Sequence, residues 1–131
     1  MITHISSVHM FCEDQNRAKE FYTNKLGFEL VIDQPMFPGA RVHWISVKPS
    51  GAATELALLE IEPESERFRA TLGTTQAFTF GVDDIEGTVT ALKERGVTFT
   101  QDVVAQPWGT SAILQDSEGN QIMLYLNSSA S

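Results

Sequence analysis

The chain has 131 residues, a length typical of one domain, and 42% of them are hydrophobic, which is enough for a core without disulfides. Its single cysteine, Cys12, excludes an intramolecular disulfide framework and a cysteine-rich zinc site. The 17 acidic residues against 9 basic ones give a net charge of −8, which argues against a nucleic-acid partner. Since neither a signal peptide nor a membrane-spanning run of about 20 apolar residues is present, we expect a cytoplasmic protein without a membrane partner.

The first half of the chain predicts a strand, a helix and three more strands. Residues 2–12 are rich in β-branched and apolar types, which favours a strand. Asp14 is a candidate N-cap and Gly27 marks the helix end. The predicted helix between them has an apolar stripe of Ala18, Phe21, Tyr22 and Leu26. Strands follow over 28–32, 41–48 and 54–61, with Pro35 breaking the first of them.

The second half of the chain repeats this order after a mixed-charge stretch, residues 60–69, which we expect to be a solvated connector. A strand is predicted over 76–82, and a helix begins at Asp83 or Asp84 and ends at Gly96. Its buried stripe is Ile85, Val89 and Leu92. Strands follow over 97–104, 111–114 and 121–126, and residues 116–120 form a strong turn signal between the last two.

An internal repeat relates the two halves. Asp14 and Gly27 are separated by the same 13 positions as Asp83 and Gly96, an offset of 69. The repeat predicts an α+β fold of two βαβββ modules in one domain of residues 1–131, with module 1 over about 2–61 and module 2 over about 74–127. One such unit leaves a sheet edge unpaired, so we expect the modules to pair and curve into a half-open cup. The concave face of such a cup is a natural ligand site.

This pattern resembles the vicinal-oxygen-chelate superfamily, which includes glyoxalases, bleomycin-resistance proteins and extradiol dioxygenases. The segments that carry the resemblance extend from about residue 5 to residue 126; they are Asp14, Phe21-Tyr22, Leu26-Gly27-Phe28, Thr54-Glu55-Leu56, Val82-Asp83-Asp84, Gly96-Val97, Trp108-Gly109 and residues 116–120. The resemblance implies the cup-shaped fold and a homodimer. It does not imply one activity, because this fold hosts unrelated chemistries.

The resemblance also implies where a metal would bind. The four ligand positions of the metal-using members fall here on Ser7, Glu55, Ala77 and Met123. Only Glu55 is a competent ligand, whereas a catalytic site needs about three protein ligands. A thioether such as that of Met123 is mismatched to a hard divalent ion. We therefore predict no metal and no other cofactor, and keep a remodelled divalent-metal site as an alternative.

Several residues are candidates for ligand contacts or catalysis. Glu55 and His9 are the catalytic candidates, and Trp44 and Trp108 are the rings expected to stack on a ligand. The alternatives are a Glu55 carboxylate bonded to a neighbouring side chain and tryptophans that only pack. The other predicted contacts are Ser7, Phe37, Ala77, Met123 and Tyr125, with Ser46 at the same rim.

Three functions remain open from the sequence. The first is sequestration of a small, cationic or aromatic molecule in the cup, without a metal ion. The second is a glyoxalase-like lyase, isomerase or dioxygenase whose site is rebuilt from His9, Glu55 and His43. His43 alternates with Ile45 and Val47, however, which favours a position facing the helix or a dimer seam. The third is a regulatory or interaction module whose cup is filled by side chains: Phe37, Met123 and Tyr125.

Overall fold

The computed structural model describes residues 1–60 and 78–127. The chain divides into two compact units, residues 1–72 and 73–131, and each contains one of the predicted modules. The predicted connector from residue 61 onward and the start of the strand predicted at 76–82 lie outside the described residues.

Module 1 is a four-stranded mixed sheet covered by one helix. Strand β1 (Ser7–Cys12) leads to helix α1 (Gln15–Glu20), which continues as a π-helical turn (Phe21–Lys25). Strands β2 (Glu29–Pro35), β3 (His43–Lys48) and β4 (Glu55–Glu60) follow. The sheet order is β1-β4-β3-β2, with β1 parallel to β4 and the other neighbours antiparallel.

Module 2 has the same order of elements. Strand β5 (Phe78–Gly81) precedes helix α2 (Ile85–Glu94), and strands β6 (Thr98–Gln106), β7 (Gly109–Gln115) and β8 (Gln121–Asn127) complete the sheet. The sheet order is β5-β8-β7-β6, again with the first strand parallel to the last. The predicted α+β class and the two βαβββ modules are confirmed.

The helix ends follow the sequence signals. The Asp14 carboxylate accepts hydrogen bonds from the backbone N–H groups of Asn16 and Arg17, and that of Asp84 accepts one from Gly87. Each bond satisfies a donor that a helix leaves unpaired at its start. After each helix, a glycine has the left-handed backbone that glycine adopts at low cost, with φ of 79° at Gly27 and 85° at Gly96.

The strand boundaries differ from the prediction by the most residues at the start of β1 and at the end of β2. Residues 2–6 are exposed and precede β1, which begins only at Ser7. Pro35 is the last residue of β2 and does not lie beyond its end. A proline is tolerated there because β2 is an edge strand and the missing N–H is not needed by a second neighbour.

The two cores lie between each sheet and its helix. Module 1 buries Met10, Ala18, Tyr22, Ile45 and Leu58, and module 2 buries Ile85, Val89, Leu92, Ala112, Leu114 and Ile122. Cys12 is fully buried, as expected for a small apolar side chain. Neither helix in the described part of the chain is long or apolar enough to span a bilayer.

A register shift in the second strand of each module changes which side chains share a face. In β2, Leu30 pairs with Val47 but Ile32 pairs with Ser46, so these two residues lie on opposite faces. In β6, Phe99 pairs with Leu114 and Gln101 pairs with Ile113, so Phe99 and Gln101 also lie on opposite faces. The residues between them, Val31 and Thr100, are again 69 positions apart.

Candidate functional site

One face of the module 1 sheet turns away from the helix. The hydroxyl of Tyr22 donates to the sulfur of Met10 at 3.0 Å, which places Met10 on the helix face. Side chains alternate along a strand, so His9, the neighbour of Met10, lies on the opposite face. His9 pairs with Ala57 of β4, and Ala57 pairs with Ser46 of β3, so these two residues lie on the same face as His9. We call this surface the front face; its residues are Ser7, His9, Trp44, Ser46, Glu55 and Ala57.

Glu55 supplies the carboxylate of the front face. It is half-buried and paired in register with Ser7 on β1. The hydroxyl of Ser46, which is fully buried, donates to Oε1 of Glu55 at 2.7 Å. This is the hydrogen-bonded arrangement that the sequence left open for Glu55. Among the described residues, Oε2 has no hydrogen-bond donor, so the second oxygen is available to a bound molecule.

Two aromatic rings meet on the same face. The rings of His9 and Trp44 lie edge to face, with centroids 5.6 Å apart and an interplanar angle of 84°. Ala57 lies on the strand between them and is fully buried. Its methyl group leaves room for rings from strands on either side to approach each other. Trp44 is half-buried and His9 is exposed.

The positions at which the resemblance places a metal do not form a ligand set. Ser7 and Glu55 are neighbours, but Ala77 lies outside the described residues. Met123 pairs with Thr79 and Ile113, so its register equivalent in module 1 is Ala57, which pairs with His9 and Ser46. The described donors are one carboxylate, one hydroxyl and one thioether, which do not suit a divalent ion. Within residues 1–60 and 78–127, no three His, Cys, Asp or Glu side chains come together as a metal site.

His43 lies on the helix face, away from His9 and Glu55. Its Nδ1 is 2.6 Å from Oδ1 of Asp33, and its backbone is hydrogen-bonded to Gln15 of the helix. The three side chains proposed for a rebuilt metal site therefore do not converge. The expectation that His43 faces the helix is confirmed.

Module 2 has an aromatic pair of its own. The rings of Trp108 and Tyr125 are 5.8 Å apart at an angle of 32°, and Trp108 is 52% exposed. The Tyr125 hydroxyl donates to the backbone oxygen of Trp108 at 2.8 Å, which fixes the pair. Elsewhere, Phe37 is 67% exposed in the loop between β2 and β3, and Met123 is half-buried.

Sequence reasoning missed a polar cluster on the helix face of module 1. Asp33 accepts from Lys19 at 2.9 Å and contacts His43, and these two hydrogen bonds, Lys19 first, lower the pKa of Asp33 below its usual value of 3.8. Gln15 is buried although it follows the helix cap, a place where polar residues are normally exposed. The alternation of His43 with Ile45 and Val47 was the only signal in the sequence.

The family follows from the fold and from direct comparison. The profile of the Glyoxalase/Bleomycin resistance protein/Dioxygenase superfamily matches residues 2–124. The chain belongs to this superfamily.

Individual relatives add detail. The chain is 36% identical to the protein YetH of Bacillus subtilis (strain 168) over 95% of its own length and 98% of that protein. It is similar to the crystal structure of UcmS2 (31% identity, TM-score 0.85, 95% of this chain and 98% of that one). It is also similar to TnmS3, an antibiotic binding protein from Streptomyces sp. CB03234 (33% identity, TM-score 0.82, 97% and 98%). An antibiotic binding protein is thus among the structural neighbours of this chain.

Proposed function

We propose that this chain binds a small aromatic cation on the front face of module 1, without a metal ion, and sequesters it. The observation that carries the proposal is the presence of one carboxylate, Glu55, and two aromatic rings, His9 and Trp44, on one face of one sheet. An aromatic ring attracts a cation and stacks on a planar group, and a carboxylate pairs with the positive charge. The net charge of −8 adds a longer-range attraction.

A hydrogen bond to Ser46 orients the Glu55 carboxylate before a cation binds. Because Ser46 holds Oε1 of Glu55 from a fully buried position, the side chain loses little further freedom when a ligand binds. Oε2 is the oxygen that would accept from the ligand cation. A charge-assisted hydrogen bond of this kind is stronger than one between neutral groups.

Metal-independent binding is supported by the donor chemistry at the four family positions. Glu55 alone is a common ligand for divalent ions, and the equivalent of Met123 in module 1 is the methyl group of Ala57. The similarity to TnmS3, an antibiotic binding protein, supports a binding role and suggests an antibiotic as the ligand class. The other predicted contacts stay predictions: Ser7, Phe37, Ala77, Trp108, Met123 and Tyr125.

The test is a fluorescence titration with proflavine, a planar aromatic cation, against fluorescein, a planar anion. We expect saturable binding of proflavine only. Glu55→Gln keeps the size of the side chain and removes its charge, so the affinity should fall about tenfold, the loss expected for one charge-assisted hydrogen bond. Trp44→Leu should weaken binding by a similar factor, because the stacking ring is gone.

The matched control is Glu94→Gln, which removes one exposed carboxylate from α2 and changes the net charge by the same amount. It should leave the proflavine affinity within about twofold, since exposed charges are screened by salt. Failure of proflavine to bind, or equal losses in Glu55→Gln and Glu94→Gln, would contradict a specific cation site. Trp108→Leu in the same titration reports whether the module 2 ring takes part.

Metal independence has a separate measurement. The wild-type protein is incubated with Ni²⁺, Zn²⁺, Mn²⁺ or Fe²⁺, dialysed, and analysed for metal by mass spectrometry. We expect no stoichiometric retention. A stoichiometric ion that is lost in both His9→Gln and Glu55→Gln would overturn the metal-free proposal while leaving a ligand site on the front face intact.

The family resemblance further supports a homodimer as the working state, and the cytoplasm stays the expected location. Light scattering coupled to size-exclusion chromatography measures the molar mass directly. A mass of one chain, unchanged over a wide concentration range, would exclude the dimer.

A further inference from the structure

A polar pocket lies on the helix face of module 1, opposite the front face. It has a volume of about 290 Å³, which is enough for a small molecule or several waters. We call it the histidine pocket; its residues are Gln15, Asn16, Lys19, Asp33, Arg41, His43, Ile45 and Glu60. They come from α1, from strands β2, β3 and β4 and from the loop between β2 and β3, so the pocket lies within one module.

The acidic groups of the pocket are already satisfied. Asp33 uses Oδ1 for His43 and Oδ2 for Lys19, at 2.6 and 2.9 Å. Glu60 uses Oε1 for Arg41 at 2.6 Å, and its Oε2 accepts from the backbone N–H of Gln15 at 3.2 Å. Each of the four carboxylate oxygens therefore already accepts a hydrogen bond from the protein, and a ligand is not required to satisfy them.

The groups left over in the pocket are nitrogens. Among the described residues, Nε2 of His43 has no hydrogen-bond partner, since the ring bonds only through Nδ1. The Lys19 ammonium uses one of its three hydrogens, for Asp33. A protonated imidazole and an ammonium are both donors, so the bound group that fits them is an acceptor. We propose that the histidine pocket binds a small oxyanion through His43 and Lys19.

The imidazole is held in place before any ligand arrives. Gln15 is 4% exposed, and its side-chain amide donates to the backbone oxygens of His43 and Leu58 while its oxygen accepts from the N–H of His43. Asp33 bonds to Nδ1 and so directs Nε2 away from itself. Gln15 and Asp33 are therefore positioning residues, and the anion would contact neither of them.

Charge makes the proposed site dependent on pH. The charged groups that face the imidazole are Lys19 from α1, Asp33 from β2, Arg41 from the β2–β3 loop and Glu60 from β4. Two cations and two carboxylates cancel, so the pocket has a net charge of zero when His43 is neutral and +1 when it is protonated. Binding of an oxyanion is then linked to uptake of one proton, and the affinity should be higher at lower pH.

The test follows the histidine rings by NMR while inorganic phosphate is added to the full chain at about pH 6 and again at about pH 8. The chain has three histidines, so each ring can be assigned. At the lower pH we expect saturable shifts at His43 and none at His4. The affinity should be lower at the higher pH. Acetate in a parallel titration distinguishes a general carboxylate site from one selective for phosphate.

Two variants separate a site from a general salt effect. Lys19→Met keeps the length of the side chain and removes its charge, and should weaken phosphate binding about tenfold. His4→Gln removes an exposed histidine outside the pocket and should leave the affinity unchanged. Equal shifts at all three rings, the same shifts with sodium chloride at matched ionic strength, or no saturation in the wild type would overturn the proposal. None of these results bears on the front face, so the two sites are tested independently.

Discussion

The sheet faces that turn away from the helices differ in chemistry between the two modules, although the backbones repeat. The central cross-strand row of module 1 is His9, Ala57, Ser46 and Ile32, and the same row in module 2 is Thr79, Met123, Ile113 and Gln101. Module 1 also has the Glu55 carboxylate, which lies on the same face two residues before Ala57 in β4. Module 2 has neutral side chains in its row. Repetition of the fold thus preserved the positions, while the charge of the side chains at and beside them differs between the copies.

Each module also brings two aromatic rings together beside a very small residue. In module 1 the rings of His9 and Trp44 meet where the intervening residue is Ala57. In module 2 the rings of Trp108 and Tyr125 meet beside Gly109. The two small residues differ in the space around them, because Ala57 already has a methyl group and Gly109 has no room for one. The comparison can be tested by changing one small residue at a time.

The largest effect is expected for Gly109→Ala. The added methyl group would lie 2.5 Å from Cε2 of Tyr125 and 2.6 Å from the backbone oxygen of Leu126, and the φ of 149° is unfavourable for alanine. We expect a loss of about 3 kcal/mol in the free energy of unfolding. Urea unfolding followed by tryptophan fluorescence measures it. Gly81→Ala is the control, because nothing lies within 4 Å of its added methyl group; equal losses in the two variants would refute the steric explanation.

An intermediate effect is expected for Ser46→Ala. The variant removes the donor to Glu55 from a fully buried position and should lower the free energy of unfolding by about 1 kcal/mol. Ser111 is the comparison in module 2, since it is also buried but its partner is the neutral amide of Gln101 at 3.3 Å. Ser111→Ala should therefore cost less. A larger loss for Ser111→Ala would show that the charge on Glu55 does not strengthen the bond in module 1.

The smallest effect concerns pH and the two aspartates that follow the register shifts, Asp33 and Asp102, which are 69 positions apart. The pKa of Asp33 is lowered by Lys19 and then by His43, so its ionised form stabilises the fold above pH 3.8, and this contribution is lost as the pH falls below that value. Asp33→Asn should be less stable than wild type at neutral pH, with a gap that closes in acid. Asp102 is 77% exposed, and Lys93 is its one ion-pair partner within residues 1–60 and 78–127.

Asp102→Asn should consequently change stability little at any pH, because an exposed ion pair contributes little. Unfolding curves recorded from neutral pH to about pH 3 would compare the two variants. A gap for Asp33→Asn that stays constant with pH would mean that packing, and not ionisation, explains its loss.

Much of the fold could be predicted because its signals are local. Asp14 and Asp84 bind the backbone within three residues of themselves, and Gly27 and Gly96 need only their own φ angles. The turn at 116–120 is closed by Asp116, which accepts from the N–H groups of Glu118 and Asn120. Each of these interactions joins residues no more than four positions apart in the sequence.

The site could be predicted only in part because it depends on distant pairings. Strand alternation correctly grouped Glu55 with Ala57, and His9 with Ser7, but the register between strands decides that Ser46 reaches Glu55. Gln15 bonds to residues 28 and 43 positions away, which no local pattern encodes. The resemblance places Met123 at the fourth metal-ligand position, whereas the register makes it the equivalent of Ala57 and not of the ligand position Glu55.

The extra residue in β2 has a consequence for how relatives should be read. With strict alternation Ile32 would share the helix face with Leu30, and Asp33 would lie on the front face. The bulge at Val31 moves Asp33 to the helix face, where it meets His43 and Lys19. A one-residue insertion or deletion in this strand would exchange the polarity of the two faces without substituting any of these side chains. Gaps in this strand therefore deserve the same weight as substitutions when functions are transferred between homologous sequences.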